Sequence, residues 1–280
     1  MLFRSIDYMF APPTVLAKIL SAYEGRRVEC IRTIFCGTAP LLPSLYHKAR
    51  AVFGPVIRVT YGKSEITNPI TVLSPAECEH YYAEPVAGDG VCVGYPGSGV
   101  EIETRDDTGK KLGREDVGEV HLRGRHMSHG HIDANGFQPL PPDGFHATGD
   151  LGRIDPGGRL HLVGRVADVI KSGGYKIHPD EIERVLAPTA PTVSIVTLPS
   201  EYWGEVIVAV AEGADDEWEA RAKAALGELA RYKHPRAFLT MDELPRNHQG
   251  KIMRRLIRDA LLSEYTLKDG PYPTLERKAP

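Results

Sequence analysis

Apolar positions along the first ninety residues alternate between two periods. After Pro12-Pro13, Val15, Leu16, Ile19, Leu20 and Tyr23 recur at three- and four-residue spacing, which predicts an amphipathic helix ending at Gly25. Cys30 to Cys36 is an apolar run of strand length, broken by Gly37-Thr38-Ala39-Pro40. Pro43 opens a second helical pattern with Leu45, Ala49, Val52 and Phe53 on its apolar side, and Val56 to Thr60 reads as another short strand. This strand-helix-strand rhythm predicts α/β structure with parallel pairing. The loop Tyr61-Gly62-Lys63-Ser64-Glu65 then lies just beyond a strand's carboxyl end, where open α/β sheets place their ligands.

From about Val91 the texture changes. Short alternating runs at Gly99-Val100-Glu101-Ile102-Glu103, Gly118-Glu119-Val120-His121-Leu122 and Leu160-His161-Leu162-Val163 are separated by turns rich in Gly, Asp and Pro. They predict a small antiparallel β subdomain of barrel-like character. A third texture starts after Gly164-Arg165-Val166-Ala167-Asp168. It predicts helices over Pro179 to Leu186, Glu217 to Tyr232 and Arg255 to Leu262, with strands at Val193 to Leu198 and Val206 to Ala211. The expected fold is α/β: a partial large α/β domain with a small antiparallel β subdomain, then a compact mobile α+β C-terminal domain. The expected bounds are 1–164 (α/β over 1–90, β over 91–164) and 165–267 with a hinge near Asp168. Residues 268–280 are expected to form a loose tail.

The bulk numbers narrow the partners more than the fold. The chain has 280 residues and a net charge of -3, so no basic footprint for nucleic acid exists and an anionic ligand must be met by local charge. Apolar runs such as Val206 to Ala211 are of strand length, and none is expected to span a bilayer. No signal-peptide pattern follows Met1. Cys30, Cys36, Cys78 and Cys92 lack metal or paired-redox spacing and read as buried free thiols of a cytoplasmic protein.

Five segments have residue types suited to a nucleotide, and each has a plainer competitor. Glu65, in a loop after a strand, can assist Mg²⁺, and Tyr61 can offer its ring to a flat base; the competitor is a solvated turn with a packed tyrosine. Asp150 in Thr148-Gly149-Asp150 can accept hydrogen bonds from two ribose hydroxyls, or it can satisfy its own turn. Arg165 can bridge ribose and phosphate, or it can form a structural salt bridge. Gly173-Gly174, within the basic run Lys171 to Lys176, lets backbone approach a thin ligand. Lys251 can deliver a positive charge to an α-phosphate under carboxylate attack. Arg246 and Arg254 read as solvated surface charges and His248 as a bland loop-tip residue. His126, His129 and His131 are close enough to test for zinc, but they lack a cysteine or a flanking acidic partner.

Taken together and in order, these segments resemble the adenylate-forming (AMP-binding) acyl-CoA synthetases. Gly37-Thr38-Ala39-Pro40 resembles the glycine-rich loop beside the acyl and adenine pocket. Tyr61-Gly62-Lys63-Ser64-Glu65 resembles the aromatic-glycine-x-threonine-glutamate motif. Thr148-Gly149-Asp150 resembles the ribose motif, Gly164 to Gly174 the hinge motif and Pro245 to Arg254 the terminal lysine motif. The resemblance implies catalytic roles for Lys251 and Glu65, with Glu65 serving Mg²⁺ through nucleotide phosphates. It implies cofactor contacts at Gly37, Thr38, Ala39, Tyr61, Gly62, Ser64, Asp150, Arg165, Gly173, Gly174 and Lys176, with Asp168 as pivot. It further implies ATP, Mg²⁺ and coenzyme A, and a two-step reaction through an acyl-adenylate.

The resemblance covers the family's second half only; the Ser/Thr/Gly-rich phosphate loop of the first half has no counterpart here. A fragment, a partner of a separately encoded N-terminal half, and a remnant without turnover all fit that pattern. An open sheet edge and weak activity of the chain alone are therefore expected. Ser64 replaces the usual threonine, and Thr38 stands where glycine is frequent. Uncharged residues at Thr38 and from Ile66 to Ile70 favour an apolar or aromatic acid. The alternatives are acyl transfer to a carrier protein, or a nucleotide- or partner-binding module without chemistry.

Overall fold

The computed structural model describes residues 6–23, 27–66, 69–83, 90–247 and 250–278. The chain divides into two compact units, Met1–Val163 and Gly164–Pro280.

The first unit begins with β1 (Tyr8–Phe10), α1 (Pro13–Ala22), β2 (Thr33–Cys36), α2 (Pro43–Phe53), β3 (Ile57–Tyr61), β4 (Thr71–Leu73) and α3 (Pro75–Ala83). It continues with β5 (Val91–Pro96), β6 (Val100–Arg105), β7 (Gly118–Gly124), β8 (Gly130–Asp133), β9 (Gly136–Pro139), β10 (His146–Ile154) and β11 (Leu160–Arg165). One path of nine strands runs β1-β2-β3-β4-β5-β11-β10-β7-β6, while β8 and β9 form a separate hairpin. β1, β2 and β3 are parallel. Burial alternates along β2 and β3, so Ile34, Cys36, Ile57 and Val59 share a core with Leu16, Tyr46, Ala49 and Tyr82 from the helices. β1 lies at one edge, with Tyr8 and Phe10 each 62% exposed.

The antiparallel strands do not close into a separate barrel. β5 pairs with β4 on one side and with β11 on the other, so the later strands extend the earlier sheet. The sequence pattern shows alternation within each run but not the strand that joins two sets. Helix α3 was also missed, although its signal is present. Ser74-Pro75-Ala76-Glu77 forms a capping box, with the Ser74 N–H donating to Glu77 Oε2 at 2.6 Å and the Glu77 N–H to Ser74 Oγ at 3.3 Å.

The second unit holds β12 (Ile170–Ser172), β13 (Tyr175–Ile177), α4 (Pro179–Leu186), β14 (Thr192–Ser200), β15 (Gly204–Glu212), α5 (Trp218–Ala225), β16 (Ala237–Met241), α6 (Arg254–Glu264), β17 (Tyr265–Lys268) and β18 (Thr274–Arg277). β14 and β15 are buried on both faces, which explains their unbroken apolar runs. Ile195, Ile207 and Ala209 pack against Ile182, Leu186 and Trp218, while Val196, Val206 and Val208 pack against Leu244, Ile257 and Leu261.

Two expected elements differ in this unit. The helix expected over 217–232 stops at Ala225; a 3-10 turn at Leu226–Glu228 contains Gly227, a poor helix residue, and Leu229 is extended. The expected loose tail from 268 to 280 is a β17–β18 hairpin as far as Arg277. Leu267 and Leu275 anchor it to the core, and the Asp269 carboxylate accepts from Ser200 Oγ at 2.7 Å and the Glu201 N–H at 2.6 Å. Contacts between residues far apart in sequence decide that outcome. Cys36, Cys78 and Cys92 are buried, but Cys30 is exposed. Burial pushes the thiols of Cys36 and Cys78 up to about 12 and that of Cys92 to about 11.

A buried ionic turn closes the first unit. Burial alone would raise the Asp155 carboxyl, but the Arg159 N–H, His161 and the Arg159 guanidinium all bond to it and bring it down to about 2. Its folded value lies below its unfolded one. The stabilisation is therefore complete above the unfolded value near 3.8 and is lost as pH falls through about 2. Asp155→Asn is expected to lower the urea midpoint at pH 7, with the gap to the parent closing below about pH 4. A gap independent of pH would contradict this account.

Candidate functional site

Within the first unit, two loops follow the carboxyl ends of neighbouring parallel strands. Gly37-Thr38-Ala39 follows β2, and Gly62 to Glu65 follows β3. Gly37 is forced by contact: a Cβ there would lie 2.7 Å from the Thr60 carbonyl oxygen of β3. Thr38 adopts φ 70°, a left-handed conformation that β-branched residues rarely hold. Glu65 sits in a 3-10 turn, Ser64–Ile66, whose end is fixed by the Ser128 N–H donating to the Glu65 carbonyl at 2.8 Å.

β10 brings Asp150 to the same place. The Tyr61 hydroxyl donates to Asp150 Oδ2 at 2.5 Å, and Lys63 Nζ lies 3.7 Å from the same oxygen while bonding the Thr148 carbonyl. Thr148 Oγ1 donates to the Val120 carbonyl at 2.8 Å and accepts from the Asp150 N–H at 3.0 Å, fixing the aspartate's backbone. Gly149, at φ 72°, directs its N–H to Glu119 Oε1 at 3.0 Å. Tyr61 is 9% exposed and packs with Ile66, Ile70 and Val93, so it is held both by its ring and by its hydroxyl.

His146 Nε2 stands 4.0 Å from Glu65 Oε1. Burial holds the His146 imidazole below its ordinary value, against the pull of Glu65, so the ring favours its neutral form near pH 7. Lys63 lies inside the Tyr61–Glu65 run, and His146 stands two residues before Thr148; nothing local in sequence assigns either a role. Ile66 and Ile70, expected to line a pocket, are fully buried in the core, and Thr67 and Asn68 lie outside the described residues. Among the described residues no group of three His, Cys, Asp or Glu is placed to hold a metal, and His126, His129 and His131 form none. A hollow of about 330 Å³ lies by Ile102, Thr104 and Leu160, and none of the expected site residues lines it.

The remaining candidates belong to the second unit. Arg165 precedes the 3-10 turn Val166–Asp168. Gly173 and Gly174 turn the β12–β13 hairpin at φ 57° and 84°, and a Cβ on Gly173 would meet the Trp203 ring at 2.9 Å. Lys176 lies opposite Lys171 in that hairpin. The exposed Lys251 ends a loop closed by an Arg246–Ile252 bridge, with its N–H donating to Asn247 Oδ1 at 2.9 Å. His248 is outside the described residues.

Arg246 and Arg254 are not solvated surface charges. Arg246 Nη1 is 2.6 Å from Glu212 Oε2 and donates to the Leu244 carbonyl at 3.0 Å. Arg254 bonds to three carboxylates. Both are short of exposed partners because strands and helices distant in sequence bring acids to them, which a linear reading cannot see.

Loops gathered at the carboxyl ends of parallel strands, beside a buried carboxylate, are the build of a nucleotide-binding α/β protein. Residues 4–131 match the family described as AMP-binding enzyme, and along most of its length the chain is similar to adenylate-forming acid-CoA ligases. The 4-coumarate-CoA ligase-like 1 of Arabidopsis thaliana is 30% identical over 269 residues, covering 90% of this chain and 48% of the relative. Among solved structures, the o-succinylbenzoate CoA synthetase of Bacillus subtilis in complex with its acyl-adenylate intermediate superposes with TM-score 0.74 at 29% identity, covering 91% of this chain and 51% of that one. The amide bond synthetase of Marinactinospora thermotolerans gives TM-score 0.76 at 27% identity, covering 90% and 51%. The chain thus spans about half the length of the relatives it matches. No helix among the described residues is long and apolar enough to cross a membrane.

Thr38 gives a direct test of the local strain. Thr38→Gly is expected to raise stability by about 1 kcal/mol by relieving the left-handed backbone, offset in part by unfolded-state entropy. Urea unfolding measures it, and a loss of stability in the glycine variant would refute the strain.

Proposed function

We propose that this chain carries the adenylate-handling and lid portions of an AMP-forming acid-CoA ligase. A carboxylate attacks the α-phosphorus of ATP, giving an acyl-adenylate and pyrophosphate. The coenzyme A thiolate then attacks the acyl carbon and AMP departs. The observation that carries this reading is the buried Tyr61–Asp150 bond at the strand ends, with Glu65 on the adjoining turn.

In this reading Asp150 accepts the ribose hydroxyls. Tyr61 holds one oxygen of that carboxylate and so orients it, beyond any contact of its ring with adenine. Gly37, Thr38, Ala39, Gly62 and Ser64 bring backbone and small side chains to the base and the acyl group. Their lack of charge suits an apolar or aromatic acid. Glu65 is a half-exposed hard carboxylate; that suits Mg²⁺, which keeps its waters and takes one or two carboxylates beside substrate phosphates. When bound, Mg²⁺ would neutralise phosphate charge. A neutral His146 leaves the Glu65 charge available for it.

The second unit supplies the moving parts in this reading. Lys251 offsets the charge that develops at the α-phosphate. Arg165 meets ribose and phosphate, Asp168 is the pivot, and the Gly173-Gly174 turn with Lys176 meets the pantetheine arm of coenzyme A after the swing. The 280 residues cover about half of each relative and contain no Ser/Thr/Gly-rich phosphate loop, so slow turnover by the chain alone belongs to the proposal.

Calorimetric titration with a non-hydrolysable acyl-adenylate mimic comes first, then pyrophosphate exchange. Asp150→Asn is expected to weaken the mimic about tenfold or more, through loss of charge-assisted bonds to the ribose. Lys251→Ala should bind the mimic like the parent but lose exchange by roughly a hundredfold. Exchange that survives in Lys251→Ala overturns the assignment of the lysine. A mimic bound without any exchange, even with a first-half partner supplied, points instead to a nucleotide-binding module.

A further inference from the structure

Arg254 opens α6, three residues after Lys251, and its guanidinium spans three segments of the second unit. Nη1 donates to Asp168 Oδ2 at 2.5 Å. Nη2 donates to Asp180 Oδ1 at 3.1 Å and Glu183 Oε2 at 2.8 Å, and Nε donates to Glu183 Oε1 at 3.2 Å. Asp180 and Glu183 belong to α4, and Glu183 Oε1 also accepts the Ile195 N–H of β14 at 2.7 Å. One rigid fork thus joins the turn ending at Asp168, the start of α4 and the start of α6.

The other end of the same short segment is held as well. A Cβ on Gly164 would lie 2.7 Å from Asp180 Oδ2, so the backbone at 164 already rests against the carboxylate that Arg254 binds. Residue 164 thus lies close against the Asp180 carboxylate of α4, and residue 168 is tied to α4 through Arg254. Within the turn itself, the Val169 N–H donates to the Val166 carbonyl over a long 3.4 Å.

The charges explain why one partner would leave first. A single guanidinium faces three carboxylates, two of them on one helix. Without Arg254 the three acids repel one another. Asp180 and Glu183 have their backbones fixed side by side on α4, whereas Asp168 sits on a short turn beside the 44%-exposed Val166 and can swing away.

We propose that Arg254 is a positioning residue that clips the linker 164–168 to the body carrying Lys251, so that backbone rotation at Asp168 requires its carboxylate to leave the guanidinium. The proposal rests on reading Asp168 as the pivot. The hinge and the lysine loop then report to the same side chain. While the clip is closed, the linker and the start of α6 move as one piece.

Segment-resolved hydrogen exchange on the full chain tests it, with Arg254→Gln, Asp168→Asn and the double variant. Amides from 165 to 170 are expected to exchange about tenfold faster in each single variant, the value of a charge-assisted bond. The double variant should be no faster than the faster single one, while β14, β15 and α5 stay as protected as in the parent. Arg254→Lys keeps the charge without the planar fork and should protect α4 but leave 165–170 loose. Trypsin cleavage after Arg165 should accelerate in parallel. Unchanged exchange at 165–170, additive single effects, or loosening spread evenly through the second unit would each overturn the proposal. Should Arg254→Gln fail to fold, Asp168→Asn keeps the Arg254–Glu183 pair, and unchanged exchange in that variant alone would be decisive. None of these readouts needs turnover, so they stand apart from the loss of pyrophosphate exchange in Lys251→Ala, which tests the ligase reading itself.

Discussion

The buried hydrogen bond from the Tyr61 hydroxyl to Asp150 joins the parallel and antiparallel portions of the first unit at the candidate site. Tyr61 ends the parallel portion of the sheet, and Asp150 lies on an antiparallel strand far along the chain. β5 makes the meeting possible, because it pairs with both sets of strands and sets their register. Placing a carboxylate in a core costs free energy unless it is bonded, so the phenol, the Lys63 ammonium and the Thr148 turn are needed together. Their geometry holds the Asp150 carboxylate in one orientation.

The second unit solves a similar problem with the signs reversed. There a cation is drawn inside and surrounded by acids. Burial works against the Arg254 charge, yet Glu183, Asp180 and Asp168 more than compensate and hold the guanidinium firmly protonated. Burial also raises the Glu183 carboxyl against the pull of Arg254. Such a cluster is a poor source of net stability, since desolvation consumes most of the Coulomb gain. Its value lies in fixing one arrangement of three segments, and an arrangement held by ions can be released more readily than one held by an apolar core.

Much of the architecture was legible in local pattern. Pro43 with Leu45, Ala49 and Phe53 marked α2 because a proline at the first turn and a helical apolar stripe report the same element. The unbroken run Val206 to Ala211 marked a strand buried on both faces. The motif order around Glu65, Asp150 and Lys251 pointed to the same family whose model matches residues 4–131. Errors fell where distant contacts decide the outcome. Leu275 and Asp269 convert a polar tail into a hairpin, and Gly227 ends α5 early where Leu229 turns to the core.

Sequence alone determined which residues could do chemistry and most of the stretches that are helix or strand, since residue type and periodicity act over a few neighbours. Tertiary structure alone decided the partners of those residues. Arg254 looked like a surface charge because Asp168 and Asp180 are distant in sequence, and Tyr61 looked like a platform for a base because Asp150 is eighty-nine positions away. Hydrogen bonds and ion pairs depend on distances of a few ångströms, and folding sets those distances between segments whose separation along the chain carries no such information.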